Sequence, residues 1–86
     1  MKVHFLPIFM RQFNRFDFAL QTEVIEKIEF FKGDKNSTQL KIHKLHGRLA
    51  GRYSFSVNYK TRIVFCYLSK NEVALLAIGD HAVYDK

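Results

Sequence analysis

Eighty-six residues with 48% apolar side chains, nine Phe and four Tyr make one domain, 1–86, and supply enough bulk to bury a core. That composition excludes a disordered chain, and no apolar run approaches the roughly 20 residues of a bilayer span. The formal net charge of +6 favours anionic partners, and a lone cysteine, Cys66, cannot close an intramolecular disulfide, which predicts a reducing, cytoplasmic setting.

The segment MKVHFLPIF shows no apolar stretch followed by a small-residue cleavage site, so no secretory leader is expected. Residues 2–6 alternate as a short strand that Pro7 closes. From Ile8 the period changes: Phe9, Phe13 and Phe16 fall on one side of a helix and Arg11, Asn14 and Arg15 on the other. Asp17 is the expected N-cap of a second helix with the stripe Leu20, Val24, Ile28 and Phe31. Glu23 and Lys27 should pair on its polar side, and Gly33 should end it in the left-handed conformation. Residues 33–37 read as a loop.

After Gly51 the period drops to two. Tyr53, Phe55 and Val57 alternate with Ser54, Ser56 and Asn58. The run Arg62 to Leu68 is nearly continuous in β-favouring residues and belongs at the centre of a sheet. Ser69-Lys70-Asn71 is a turn, and Glu72 to Ile78 is the next strand. The expected fold is α+β: an N-terminal strand, a two-helix antiparallel hairpin, then an antiparallel sheet of three consecutive strands.

Charge is distributed unevenly along this order. From Lys35 to Asn71 stand eight Lys/Arg, two His and no Asp or Glu, while residues 1–34 balance five basic against five acidic residues. A local surplus of this kind marks a surface for a polyanion, and phosphate backbones are the commonest. His43, His46, Arg52, Arg62, His81 and Tyr84 together hold the groups that RNA cleavage without a metal requires. Histidine titrates in the range needed to move protons, arginine forks onto phosphate oxygens, and tyrosine stacks on bases or supplies a hydroxyl. Cys66, in an apolar strand, reads as a buried inert thiol, and His4 as structural. His43, His46 and His81 have neither a cysteine pair nor a nearby carboxylate to complete a zinc site, so neither metal nor cofactor is expected. Gly47 and Gly51 in HGRLAG match no nucleotide-binding loop.

The run Leu45-His46-Gly47-Arg48-Leu49-Ala50-Gly51-Arg52-Tyr53-Ser54-Phe55-Ser56-Val57, then Arg62-Ile63-Val64-Phe65, resembles the RelE/ParE superfamily of type II toxins. The ending Ile78-Gly79-Asp80-His81-Ala82-Val83-Tyr84 is similar to the close of its YafQ- and YoeB-like branches. The resemblance implies a helical hairpin on a twisted antiparallel sheet. It also implies a ribosome-dependent endoribonuclease that cuts mRNA and is neutralised by a cognate antitoxin, with an acidic antitoxin segment covering the cationic groove. Under it, His46 is a base or phosphate ligand, Arg62 stabilises the phosphate in the transition state, His81 is a general acid or base, and Tyr84 stacks on or orients the substrate. Lys41, His43, Lys44, Arg48, Arg52 and Lys60 would bind RNA. Which of His43, Lys44 and His46 is the base stays open, and because the window lacks carboxylates, proton transfer falls to histidine. The alternative is a ParE-like module that inhibits DNA gyrase by binding alone.

Overall fold

The alternating residues Lys2–Phe5 form strand β1 in the computed structural model, which describes residues 1–34, 38–80 and 83. Pro7 does not close that strand but opens helix α1, Pro7–Phe13. Its fixed φ suits the first helical position, and its missing N–H is one that no helical carbonyl would have taken. Phe16 lies past the helix in the connecting turn, where it is half-buried against the core. Asp17 caps helix α2, Phe18–Gly33, by accepting from the Leu20 amide at 2.8 Å.

Two expectations for α2 are corrected. Gly33 is its last residue but is not left-handed; the positive-φ glycines among the described residues are Gly47 and Gly51. An ordinary helical bond from the Asp34 amide to the Phe30 carbonyl, 2.8 Å, completes the final turn without a reversal of φ. Glu23 accepts from the Asn58 amide group at 2.9 Å instead of pairing with Lys27, and the ion pair on the helix is Lys32–Glu29 at 3.2 Å.

The remaining strands are β2 His43–Lys44, β3 Tyr53–Ser56, β4 Arg62–Ser69 and β5 Glu72–Gly79. They join β1 in a mixed sheet of order β1-β5-β4-β3-β2. The α+β reading holds, with two additions: the two-residue β2 extends one edge, and β1 lies parallel to β5 at the other, Lys2 opposite Glu72. Parallel neighbours need a long crossover, and everything from α1 to β4 lies between these two strands.

Alternation along the strands sorts side chains onto two faces. Phe55, Ile63, Phe65, Val73 and Leu75 form the core with Val24, Ile28 and Phe31 of α2. The Phe31 ring stacks on Phe55 with centroids 4.6 Å apart and meets Phe65 edge-on at 5.0 Å. Burying each such ring contributes about 1.5–3 kcal/mol. The opposite face carries smaller side chains, Ser54, Val64 and Ala77, in one cross-strand row. Cys66 is half-buried, not buried, because it lies on β4 towards the strand's exposed end.

Candidate nucleic-acid interface

The open face of the sheet becomes a cavity because α1 crosses one end of it. β1 pairs with β5 only as far as Phe5–Leu75, and the chain then turns into α1. This leaves the rest of the β5 edge without a strand. The Gln12 side-chain oxygen fills the gap by accepting from the Ile78 amide at 2.8 Å, which fixes α1 over the sheet. An irregularity in β5 deepens the space. Val64 pairs with Ala77 and Phe65 with Leu75, so Leu76 is an extra residue that bends the strand.

The other wall is the turn between β2 and β3. Its bonds are Leu49 amide to His46 carbonyl, Ala50 to Gly47 and Arg52 to Leu49, at 3.3, 3.0 and 3.1 Å. Gly47 at φ 68° and Gly51 at φ 87° take backbone conformations that a Cβ would strain. The Leu45 amide donates to the Arg52 carbonyl at 2.9 Å and closes the base of the turn. Leu49 is buried, which anchors the turn and leaves Arg48 and Arg52 exposed.

The resulting cavity has a volume of about 560 Å³. Val64, Ala77, Leu49 and Val83 supply apolar lining, and Arg11, Arg15 and Arg52 supply charge. No carboxylate lines it among the described residues. Beside it, at the end of the sheet, is a smaller recess of about 200 Å³ with Lys27, Lys41, Asn58 and Arg62 in its wall.

The expected site residues distribute as follows. Arg52 lines the larger cavity. His43 is exposed and pairs with Ser54, which pairs with Val64 and through it Ala77, so His43 belongs to the row that floors that cavity. Lys44 pairs with Tyr53 and therefore belongs to the helix-covered face. His46 is exposed at the head of the turn, and Arg48 is exposed within it. Arg62 follows Ser54 and Val64 by one row, opposite Ser56 and Gly79, and its guanidinium donates to the Asn58 and Thr61 carbonyls. It lines the smaller recess with Lys41, whose φ of 51° is unusual for a side-chain-bearing residue. Lys60 is exposed in the β3–β4 loop, where its amide donates to the Asn58 side chain at 2.9 Å. His81 and Tyr84 lie outside the described residues, although Val83 between them in sequence lines the larger cavity.

Sequence reasoning missed Arg11 and Arg15, which the helical pattern placed on a solvent side, and it gave Gln12 no role. A signal was present: no acid precedes Asp17, so Arg11 on α1 and Arg15 in the turn after it have no acidic residue before them in sequence to neutralise them. Lys27 was likewise read as a helix-surface partner of Glu23.

Solved structures share this architecture along nearly the whole chain. A YoeB/ParE toxin from Agrobacterium tumefaciens superposes with a TM-score of 0.77 at 18% identity, covering 94% of this chain and 99% of that one. The chain has the RelE/ParE toxin fold. The heterotetrameric YoeB–YefM toxin–antitoxin complex from Staphylococcus aureus matches with a TM-score of 0.75 and 20% identity over 94% of this chain and 97% of that one. YafQ from E. coli matches this RelE/ParE fold with a TM-score of 0.75 at 11% identity, over 95% and 94% of the two chains. No family model matches the sequence, and no curated protein does.

Proposed function

We propose that this chain is the toxin of a toxin–antitoxin pair and acts as an endoribonuclease on mRNA at the ribosome. The observation that carries this reading is the His43–Ser54–Val64–Ala77 row, which runs into a cavity walled by Arg11, Arg15 and Arg52 and free of described carboxylates. The shared fold with YoeB and YafQ structures supports it.

RNA cleavage at such a face follows from simple proton accounting. The His43 imidazole takes the proton of a ribose 2′-OH, and the freed oxygen attacks the adjacent phosphorus. Negative charge builds on the phosphate oxygens, where arginine forks stabilise it. Arg62 would serve here once its guanidinium exchanged the Asn58 and Thr61 carbonyls for substrate oxygens. His81 donates a proton to the departing 5′-oxygen, and Tyr84 holds a base. The products are a 2′,3′-cyclic phosphate and a 5′-hydroxyl. His46 is the second histidine in reach of the same strand.

The S. aureus YoeB was solved bound to YefM, which supports an antitoxin partner for this chain as well. An acidic antitoxin segment would cover the cationic face. Its apolar side chains would settle against the groove of Phe5, Phe9, Phe13 and Ile25 between the helices and β1.

The test is primer extension on mRNA from a reconstituted translation reaction supplied with the purified protein. Discrete cuts within the reading frame are expected, and Arg62→Ala combined with His81→Ala should slow them by orders of magnitude. Intact mRNA together with inhibited gyrase supercoiling would replace the nuclease reading with the gyrase one.

A further inference from the structure

Arg11, in the last turn of α1, and Arg15, in the turn that follows the helix, present their side chains to the same side of the fold, where both line one cavity. The fold points that side at the β2–β3 turn, from which Arg52 enters the same cavity. The ion pairs among the described residues are His4–Glu72 and Lys32–Glu29, and neither involves these arginines. Three guanidinium groups with no carboxylate among the described lining residues repel one another, and an anion between them removes that cost. The cavity is not charged throughout. Leu49, Val64, Ala77 and Val83 give it an apolar lining that offers nothing to a phosphate but suits the flat face of a base. Its volume of about 560 Å³ accommodates a small-molecule-sized group.

We infer that Arg11, Arg15 and Arg52 form a nucleotide subsite for single-stranded RNA, with the arginines on the phosphate and the apolar lining under the base. This rests on the reading of the open face as an RNA surface. It adds a place that is not the bond being cut. Val64 lies two strand spacings from His43, about 10 Å, so the subsite holds a nucleotide beside the one that His43 would attack. It is a positioning element that fixes the strand's register. An acidic peptide would satisfy the arginines but leave the apolar lining without a planar partner, which is why RNA fits better.

The experiment is fluorescence anisotropy of a short labelled single-stranded RNA with the full chain over a series of salt concentrations. The wild type is compared with R11Q/R15Q, R11K/R15K and the control K2Q/K32Q, which removes the same two charges elsewhere. R11Q/R15Q should weaken binding at least tenfold and reduce the log–log salt slope by about 0.7, the value for one lost phosphate contact. R11K/R15K should keep most of the slope while losing affinity, because lysine lacks the fork. K2Q/K32Q should stay near wild type. Equal losses in R11Q/R15Q and K2Q/K32Q, or no RNA binding by the wild type, overturn the subsite. So does an R11Q/R15Q variant that binds RNA normally but loses a poly-glutamate peptide. Arginine-dependent RNA binding without cleavage on ribosomes would leave the subsite standing and remove the nuclease reading. Cleavage that is indifferent to Arg11 and Arg15, with unchanged RNA binding, would do the reverse.

Discussion

His43 lies directly opposite Ser54 across the β2–β3 pair, and that register assigns it to the face floored by Val64 and Ala77. Lys44, one residue on, is opposite Tyr53 and belongs to the face covered by α2. Successive residues of a strand cannot share a face, so the register discriminates between neighbouring candidates for the base. His43→Gln should reduce single-turnover mRNA cleavage by about 10²–10⁴-fold, the usual worth of a general base. Lys44→Gln should change it only a few-fold. His43 is exposed, so circular dichroism of His43→Gln should match wild type. A greater loss in His46→Gln than in His43→Gln would move the base to the turn.

The Gln12–Ile78 bond predicts a stability effect far from any charge. Gln12 satisfies a β5 amide that no strand reaches, and it is half-buried. Gln12→Met keeps the length of the side chain but removes the acceptor. It should cost about 1–3 kcal/mol, the penalty for orphaning a shielded N–H. Urea unfolding checks this: the midpoint should fall while the slope stays constant. An unchanged midpoint would mean that water reaches the Ile78 amide.

The contrast between Asp17 and Arg11 shows which parts of the molecule were legible in the chain. Asp17 caps α2 through a bond to Leu20, three residues away, so the information is local and the sequence pattern contains it. The same holds for β3, β4 and β5, whose alternation or apolar density spans four to eight residues. β2 was invisible because two residues express no period, and its approach passes through the positive φ of Lys41. The β1–β5 pairing depends on contacts some seventy residues apart, such as Lys2 with Glu72. Arg11 and Arg52 line one cavity because Gln12 holds α1 against β5, a tertiary fact that neither local stretch records. Charge surplus therefore identified the basic face, while convergence of particular cations required the fold.

The glycines give a paired prediction. Gly51 has φ 87°, which a residue with a Cβ adopts only under strain, although nothing lies within 4 Å of where that Cβ would stand. Gly33 also has open space but an ordinary φ at the end of α2. Gly51→Ala should therefore destabilise by about 1 kcal/mol or more through backbone strain alone. Gly33→Ala should stabilise by about 0.4–1 kcal/mol by restricting the unfolded chain. Opposite shifts in thermal midpoint confirm the assignment, and shifts of the same sign refute it.

The His4–Glu72 contact sets a pH dependence at the β1–β5 edge. The His4 ring nitrogen donates to a Glu72 carboxylate oxygen at 3.1 Å, and this bond holds the Glu72 carboxyl below its ordinary 4.5. The folded chain thus gives up that proton at lower pH than the unfolded chain does. Its stabilising effect is complete above the unfolded value and is lost as pH falls through the lower native one. Both side chains are 39% exposed, so solvent screens the pair and the effect is small. Glu72→Gln removes the titrating group, and its urea midpoint should fall less than that of wild type when the pH is lowered from neutrality to below 4.5. Identical acid sensitivity in the two proteins would show that other groups control the acid limb.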